Sequence, residues 1–360
     1  MASKILILAN DSSGLYDFRR ELMARILQEH HLSASVPVGD KTDAIDALGC
    51  TIIPTDIDRR GIDPVKDLKL LLRYRRMLRQ ERPDLVITYT IKPNIYGGLA
   101  CRMRKIPYAV NITGLGTTFQ NQGLLRKIVT VLYKIALKKA KVVFFENASN
   151  RQVFIDEKIV PEHKCCLLNG AGVDLDRYAY EPYPDDGPVR FLFIGRIMKE
   201  KGIEELFAAM ERLTAEGETC TLDVLGEAEE DYAAQISRYE QQGWLHHHGY
   251  QSDVRPFIRD AHCFVLPSYH EGMANTNLEC AASGRPLITS DIPGCREAVA
   301  PGSGLLCRPQ DPESLYDAMK KFLRLSWEAR EAMGKAGRAH MEEVFDKKKV
   351  VAATLTALEI

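Results

Sequence analysis

The sequence predicts an α/β protein made of two doubly wound, Rossmann-like domains. Short apolar runs that suit buried parallel strands alternate with amphipathic helical stretches along the chain. The alternation stops once, in the Gly-, Pro- and Asp-rich stretch NGAGVDLDRYAYEPYPDDGPVRF, and restarts with VRFLFIG. At 360 residues the chain is long enough for two domains of ordinary size. We therefore place an N-terminal domain over residues 1–175, a C-terminal domain over 176–340 and a final helix over 341–360.

The first domain opens with the strand KILILA, the loop NDSSGLY and the helix DFRRELMARILQEH. SASVPVG, CTIIPTD, DLVITYT, YAVNIT and KVVFFEN supply further strands, with DLKLLLRYRRMLRQ and GLLRKIVTVLYKIALKKA among the helices between them. The first loop lacks the GxGxxG fingerprint of dinucleotide enzymes, so a nicotinamide cofactor is poorly supported. Its one glycine, Gly14, fits either a close backbone approach to a bound phosphate or a simple turn.

Polar side chains follow two strands of this domain, at the edge where sites of parallel sheets gather. TYTIKPNIYGG carries Lys92, a point cation suited to a diphosphate, with Asn94 beside it. NITGLGTTF offers Asn111 and Thr113 as polar partners next to glycines that allow close backbone approach. These residues form a candidate site for an anionic ligand; a surface lysine and a tight strand-to-helix turn are the alternatives.

The stretch over residues 123–141 combines apolar helical spacing with a basic stripe. The apolar positions are Leu124, Leu125, Ile128, Leu132 and Ile135, and the basic ones are Lys127, Lys134, Lys138 and Lys141. The apolar face can pack on the sheet and leave the lysines solvated, or the helix can rest on an anionic bilayer. The pattern leaves both arrangements open.

Charge is unevenly distributed in a chain whose net charge is −1. Up to Tyr180 there are 28 Lys and Arg against 19 Asp and Glu, a net +9, and the remainder holds 20 against 30, a net −10. A basic first half indicates contact with an anionic surface or substrate. No Arg/Lys-rich tail or RNA-binding aromatic motif supports nucleic acid as that partner.

Cysteine usage and hydropathy indicate the compartment. Nine scattered cysteines, an odd number, do not suit a disulfide framework and fit a reducing cytosol. The start MASKILILAND has too short an apolar run for a signal peptide, and no stretch has the length of a spanning helix. We expect a cytoplasmic protein, peripheral on the inner face of the cytoplasmic membrane.

The second domain begins with the strand VRFLFIG, a loop and the helix IEELFAAMERL. The loop, GRIMKEKG, holds Arg196 and Lys201 between Gly195 and Gly202, at the carboxyl end of the strand. A bidentate guanidinium and a mobile ammonium are the groups that a departing diphosphate needs.

Residues 265–299 place two carboxylates around a helix start. Asn275 is predicted as the N-cap of a helix that Gly284 ends. The unpaired N–H groups at this start make Met273, Ala274, Asn275 and Thr276 an anion site.

Glu271 lies in the loop before this helix, and Glu279 lies one turn into it. Carboxylates accept hydrogen bonds from sugar hydroxyls, so both can border a sugar-binding pocket. An ordinary solvated helix start is the alternative.

Two patterns could suggest a metal ion. The sequence DLD at 174–176 lies in the linker and not beside a nucleotide-type strand. The histidine run at 246–248 has no Cys or carboxylate at ligand spacing. We expect no metal site.

GRIMKEKG and the E-x7-E spacing, in this order and in a second βα domain, resemble the retaining glycosyltransferases of family four over nearly the whole chain. The resemblance implies a GT-B fold, with two domains facing across a cleft and a final helix that crosses back to the first domain. It implies that Arg196 and Lys201 clamp the donor diphosphate, that Glu271 meets the donor sugar and that Glu279 meets the ribose.

TIKPNIYGGLACRMRKIPYAVNITGLGTTF is similar to the subset of this family that builds capsule, exopolysaccharide and N-glycan precursors on undecaprenyl diphosphate. This implies a lipid-linked diphosphate sugar as acceptor. Thr113 stands where many members carry a His that contacts the donor sugar, so that contact is unassigned. TLDVLGEAEE replaces a frequent Gly-rich turn, which leaves the nucleotide contacts near Gly226 unassigned.

We therefore expect a bacterial retaining glycosyltransferase that moves a hexose or N-acetylhexosamine from a UDP-sugar to a lipid-diphosphate-linked sugar. We expect it to need no cofactor or metal ion. The expected site residues are Arg196, Lys201 and Glu271 for catalysis; Gly14, Gly195, Met273, Ala274, Asn275, Thr276 and Glu279 for the donor; and Lys92, Asn94, Asn111 and Thr113 for the acceptor. A UDP-GlcNAc 2-epimerase and a non-catalytic nucleotide-sugar-binding subunit remain as alternatives.

Overall fold

The computed structural model describes residues 2–58, 63–115 and 123–360. The chain divides into two compact units: residues 1–171 together with 349–360 form unit 1, and Gly172–Lys348 form unit 2. The sequence predicts a boundary at residue 175 and a separate final segment from residue 341; the structural divisions fall at 171/172 and 348/349.

Unit 1 contains a parallel sheet whose described strands lie in the order β3-β2-β1-β4-β5-β6-β7. The strands are β1 (Lys4–Leu8), β2 (His31–Val36), β3 (Thr51–Pro54), β4 (Leu85–Tyr89), β5 (Tyr108–Ile112), β6 (Val143–Phe145) and β7 (Cys165–Leu167). The chain order reverses between β1 and β4, as in a doubly wound fold.

Helices cover both faces of this sheet because the strand residues alternate between two cores. In β1, Ile5 and Ile7 join one apolar cluster, and Leu6 and Leu8 join the other. The helices are α1 (Ser12–Leu27), α2 (Thr42–Ala47), α3 (Pro64–Glu81), α4 (Gly98–Arg104), α5 (Leu124–Leu137) and α6 (Ala148–Asp156), with a π-turn at Pro93–Gly97.

Unit 2 contains a second parallel sheet, whose described strands lie in the order β10-β9-β8-β11-β12-β13. The strands are β8 (Val189–Ile194), β9 (Cys220–Leu225), β10 (Leu245–His247), β11 (Cys263–Leu266), β12 (Leu287–Ser290) and β13 (Gly304–Cys307). The helices are α7 (Ile203–Ala215), α8 (Ala233–Gln241), α9 (Arg255–Asp260), α10 (Asn275–Ala282), α11 (Pro312–Leu323) and α12 (Trp327–His340). The predicted pair of Rossmann-like parallel sheets is confirmed.

The last helix, α13 (Lys347–Leu358), belongs to unit 1 from residue 349 onward. Its Val350 and Leu358 are buried in the same cluster as Ile5 and Ile7 of β1. Among the described residues, no helix is long and apolar enough to cross a membrane.

Candidate active site

The loop formed by residues 195–202 is pressed against the segment that follows β11. Strands β8 and β11 are neighbours, so the loops after them lie side by side. Gly202 has a φ of +72°, and a Cβ added to it would lie 2.1 Å from the carbonyl oxygen of Pro267. The Tyr269 N–H also donates to the Glu200 carbonyl oxygen over 2.9 Å. Glycine at 202 therefore lets Lys201 approach the β11 loop.

This approach joins two residues that are predicted to act in catalysis. The Lys201 Nζ donates to Glu271 Oε1 over 2.5 Å, and the Ser268 Oγ donates to the same oxygen over 2.8 Å. The Lys201 and Glu271 side chains are only 22% and 14% exposed. A fixed, half-desolvated ammonium and carboxylate can orient a polar ligand more firmly than freely solvated groups.

Arg196 lies in the same loop with a different partner. Its Nη1 pairs with Glu229 Oε1 at 2.8 Å, and the arginine side chain is 52% exposed. Ile197 forms an isolated bridge to Ala228, so the segment GEAEE packs alongside the loop. The guanidinium is thus held at the surface of unit 2, where it is accessible to an anion.

Two glycines make this second contact possible. Gly226 has a φ of +138°, and a Cβ there would lie 1.9 Å from the carbonyl oxygen of Gly195. Gly195 donates its N–H to the Leu225 carbonyl oxygen over 2.9 Å. Gly195, predicted to bind the donor, and Gly226 thus let the loops after β8 and β9 meet through their backbones.

The start of α10 differs from the prediction in one respect. Asn275 is the first helical residue and not the N-cap; the N-cap is Ala274, whose side chain has no acceptor. Ala274 takes this place because its N–H donates to the Gly294 carbonyl oxygen over 2.8 Å, which fixes the chain just before the helix. No side chain of the described residues caps this start. Met273 and Ala274 are buried, whereas Asn275 and Thr276 are half-buried.

The uncapped start is held by a second close approach. Gly294 has a φ of +86°, and a Cβ there would lie 2.6 Å from the carbonyl oxygen of Gly272. The loop between Glu271 and α10 therefore has a defined position, and the first N–H groups of an eight-residue helix are available to an oxyanion.

Glu279 lies one turn into α10, as predicted, and hydrogen-bonds the hydroxyl of Tyr178. Burial and the nearby Glu279 carboxylate raise the pKa of Tyr178. The tyrosine therefore stays protonated and can donate to the carboxylate, which fixes the orientation of Glu279.

In unit 1, Lys92 is engaged by a buried carboxylate. Its Nζ lies 3.0 Å from Asp67 Oδ1 in the first turn of α3, with side chains 13% and 7% exposed. Tyr96 also hydrogen-bonds Asp67, and burial together with that carboxylate raises the pKa of Tyr96. Lys92 is therefore not the freely solvated lysine that the loop pattern also allows.

The neighbouring amide residues hold the loop together. Asn94 is 1% exposed; it accepts from Thr88 Oγ1 over 2.7 Å and donates to the Asn111 carbonyl oxygen over 2.8 Å. Asn111 is buried and donates from its side chain to the Thr88 carbonyl oxygen over 3.2 Å. Thr113 is half-buried, and the end of NITGLGTTF lies outside the described residues. Asn94 and Asn111 thus shape the loop from within.

Gly14 occupies a helix and not the predicted loop. Helix α1 starts at Ser12, with Asp11 as its N-cap accepting from the Gly14 N–H over 2.9 Å. The helix begins earlier than predicted because the Asp11 side chain accepts a hydrogen bond from a free N–H group of its first turn. Gly14 lies in unit 1, whereas the other predicted donor residues lie in unit 2.

Neither metal-like pattern forms a ligand cluster. Across residues 2–58, 63–115 and 123–360, no group of three or more His, Cys, Asp or Glu could hold a metal ion. Asp174 accepts from the N–H groups of Asp176 and Arg177, which is a local turn contact. His248 pairs with Asp223, its Nε2 lying 2.6 Å from Oδ1.

Sequence reasoning missed the partners that orient the predicted residues. These are Ser268 for Glu271, Glu229 for Arg196, Tyr178 for Glu279 and Asp67 for Lys92. Only Ser268, three positions before Glu271, is near its partner in the chain. The other three pairs are brought together by strand and helix packing, which leaves no local sequence signal.

Comparison with protein families gives a match in each half of the chain. Residues 4–147 match the family described as glycosyl transferase 4-like, and residues 181–340 match the glycosyl transferases group 1. The two matched ranges lie on either side of the boundary between the units.

Named relatives are similar over most of the chain. The N,N'-diacetylbacillosaminyl-diphospho-undecaprenol alpha-1,3-N-acetylgalactosaminyltransferase of Campylobacter jejuni is 26% identical over 341 residues, 89% of each chain. The UDP-Gal:alpha-D-GlcNAc-diphosphoundecaprenol alpha-1,3-galactosyltransferase of Escherichia coli is 27% identical over 285 residues, 72% of this chain and 70% of that one. Among solved structures, Anabaena HepE in complex with UDP and glucose aligns with a TM-score of 0.83, at 16% identity over 99% of both chains.

The two parallel-sheet units and the family matches define a glycosyltransferase of the GT-B type. The chain belongs to the glycosyltransferases that join a glycosyl transferase 4-like domain to a glycosyl transferases group 1 domain. The predicted enzyme class, a glycosyltransferase, is confirmed.

Proposed function

We propose that this enzyme transfers a hexose or N-acetylhexosamine, with retention, from a UDP-sugar to a lipid-diphosphate-linked sugar in bacterial surface polysaccharide or glycan assembly. The contact between Lys201 and Glu271, next to the uncapped start of α10, carries the proposal. The names of the two bacterial relatives support the acceptor class, and the nucleotide named with Anabaena HepE supports UDP.

Departure of the diphosphate is the main barrier to glycosyl transfer, and positive charge aimed at it lowers that barrier. Arg196 is accessible for a bidentate contact with phosphate oxygens. Lys201 has three N–H donors, and its bond to Glu271 uses one of them. Together with the N–H groups at the start of α10, these two cations stabilise the negative charge on the departing diphosphate without a metal ion.

Glu271 holds the donor sugar in this proposal. Its Oε1 accepts from both Lys201 and Ser268, which fixes the carboxylate. Its remaining acceptor positions suit sugar hydroxyls. Glu279, oriented by Tyr178, accepts from the ribose hydroxyls.

Retention follows in this proposal from attack on the same face as the departing diphosphate. An oxygen of that diphosphate takes the proton from the acceptor hydroxyl as the glycosidic bond to the donor breaks. No separate protein nucleophile is assigned to this step.

The acceptor diphosphate is assigned to unit 1, through Lys92 and Thr113. Asp67 fixes the Lys92 ammonium, whose other N–H donors can meet a phosphate oxygen. Asn94 and Asn111 hold this loop in shape. A lipid-linked acceptor also requires contact with the inner face of the cytoplasmic membrane, which we assign to the basic N-terminal domain.

A thermal-shift and hydrolysis screen in EDTA tests the donor assignment. The ligands are UDP-GalNAc, UDP-GlcNAc, UDP-Gal, UDP-Glc, GDP-Man and the free nucleotides. A ligand that binds the folded state raises the unfolding midpoint. We expect UDP and one UDP-sugar to raise the midpoint without metal. A shift with GDP-Man alone would overturn the assignment, and so would the absence of a shift with every ligand.

A further inference from the structure

The face of helix α5 that is buried in the core is opposite to the face that its apolar spacing predicts. Its buried residues are Val129, Thr130, Tyr133, Ala136 and Leu137. Tyr133 packs edge-to-face against Phe154 with ring centroids 5.2 Å apart and hydrogen-bonds Asn94 of the acceptor loop. This second apolar face packs into the core of unit 1, so most of the regular apolar stripe lies outside that core.

That stripe is exposed instead, except for Leu132, which is half-buried against the core of unit 1. Leu124, Leu125, Ile128 and Ile135 are exposed by 75%, 43%, 45% and 45%, and Val131 beside them is exposed by 53%. At about 100° per residue these positions share one side of the helix, roughly opposite Tyr133. A run of large aliphatic side chains open to water along one helix indicates an interaction surface, since single exposed residues of this kind are normally scattered.

Lysines flank the stripe along one edge. Lys127, Lys134 and Lys138 are exposed, and at about 100° per residue they fall on the same flank of the helix. None of the three forms an ion pair with another described residue. Lys141, which the sequence groups with them, pairs with Glu359 at 3.0 Å and does not belong to this edge.

The neighbouring helices extend the surface. Helix α4 contacts both α3 and α5, and its Met103 is exposed. Leu68 and Leu72 of α3 are exposed as well. Together α3, α4 and α5 carry eleven Lys and Arg against two Asp and Glu, and one of those two, Asp67, is buried with Lys92.

We infer that this outer surface of α3, α4 and α5 docks on an anionic phospholipid bilayer, with the α5 stripe entering the acyl boundary and the lysines meeting the headgroups. Aliphatic side chains bordered by unpaired lysines match a bilayer interface in both its apolar and its anionic layer. A protein partner would need its own carboxylates to meet the same lysines. Through Tyr133 and Asn94 the docked helix is continuous with the acceptor loop, a link that rests on the proposed function, whereas docking itself does not.

Flotation of the full-length protein with vesicles tests the inference without donor or acceptor. The vesicles are phosphatidylcholine alone or with roughly one third phosphatidylglycerol. We expect binding to the anionic vesicles that weakens as salt rises from about 0.1 M to about 0.5 M. Lys127→Gln with Lys134→Gln removes two headgroup contacts and should weaken binding about 30-fold.

Val131→Ser tests the apolar contact and should weaken binding about fivefold, since a half-exposed valine gains about half of its full burial on insertion. The controls are Val38→Ser, at a valine 70% exposed elsewhere in unit 1, and Lys321→Gln with Lys335→Gln in unit 2, which also removes two charges although Lys335 pairs with Glu331 at 2.8 Å. Each control should bind like the unaltered protein.

Three results would overturn the inference: no binding to anionic vesicles, equal losses in the test and control variants, or a dimer that Val131→Ser dissociates in the absence of lipid. The last would assign the surface to a second copy of the chain. Raised unfolding midpoints with UDP, measured separately, report on the proposed function alone.

Discussion

Replacing Gly202 by alanine should move Lys201 away from Glu271. A control glycine substitution then distinguishes this displacement from a loss of stability in unit 2. The added Cβ would lie 2.1 Å from the carbonyl oxygen of Pro267, which is backbone and cannot rotate away. To restore an ordinary contact, the 195–202 loop and the segment after β11 must part by at least about 1 Å.

The expected cost has two parts. The φ of +72° costs an alanine roughly 1–2 kcal/mol of folding free energy. The separation also breaks the 2.5 Å bond between Lys201 and Glu271, because a gap of about 1 Å more exceeds hydrogen-bond range. Misplacing a catalytic group by about 1 Å can reduce turnover roughly 10²-fold.

Gly217→Ala is the matched control. Gly217 has a φ of +82° and has no heavy atom within 4 Å of an added Cβ. It should show the same backbone cost, about 1–2 kcal/mol, with turnover unchanged. The assay measures unfolding by urea, UDP affinity by calorimetry and UDP release from the donor that the screen identifies.

The reasoning predicts that Gly202→Ala loses about 10²-fold in UDP release and that Gly217→Ala loses none. Equal UDP release by the two variants, at equal stability, would refute the claim that close packing at Gly202 positions Lys201.

Three further changes test other parts of the account. Arg196→Ala should lower UDP release roughly 10²–10³-fold while urea unfolding is unchanged, because its guanidinium is half-exposed; near-normal turnover would remove it from the diphosphate clamp. Lys92→Met should destabilise the protein by about 3 kcal/mol because it leaves the buried Asp67 carboxylate without its cation, and adding Asp67→Leu should recover part of that loss in urea unfolding, since Tyr96 then loses its acceptor; no recovery would show that the pair is not coupled. Ellman's reagent should modify only Cys165 and Cys166 rapidly in the folded protein and all nine thiols after unfolding, since the other seven are buried; rapid loss of more than two would contradict the buried cores.

The parallel sheets could be predicted because their signals are local. Runs such as KILILA and VRFLFIG suit strands buried on both faces, and both form them. The start of α1 was harder to predict, since Asp11 and Gly14 suit a loop as well as a capped helix turn. The prediction of Asn275 as the N-cap of α10 was wrong because the position of Ala274 is fixed from outside the helix, by its hydrogen bond to Gly294.

Helix α5 marks the limit of periodicity. The helix is apolar on two sides, and Tyr133 with Val129 packs into the core in place of the more regular stripe. Spacing alone does not tell which of two apolar faces is buried, because that depends on neighbours such as Phe154.

In the site, motif spacing located the charged residues but not their partners. Lys201 and Glu271 meet because β8 and β11, which are far apart in the chain, are neighbours in the sheet. Asp67, which pairs with Lys92, has no marker beyond its place in the first turn of α3.

The most direct test of the central claim is the structure of the reaction product. The full-length protein is incubated in EDTA with the UDP-sugar found by the screen and a diphosphoundecaprenol-linked GlcNAc, and the new glycosidic bond is assigned by NMR. The account predicts one sugar added to the lipid-linked acceptor with the anomeric configuration of the donor, together with stoichiometric release of UDP. Free sugar without a new bond, inversion at the anomeric carbon or an absolute need for a metal ion would contradict it.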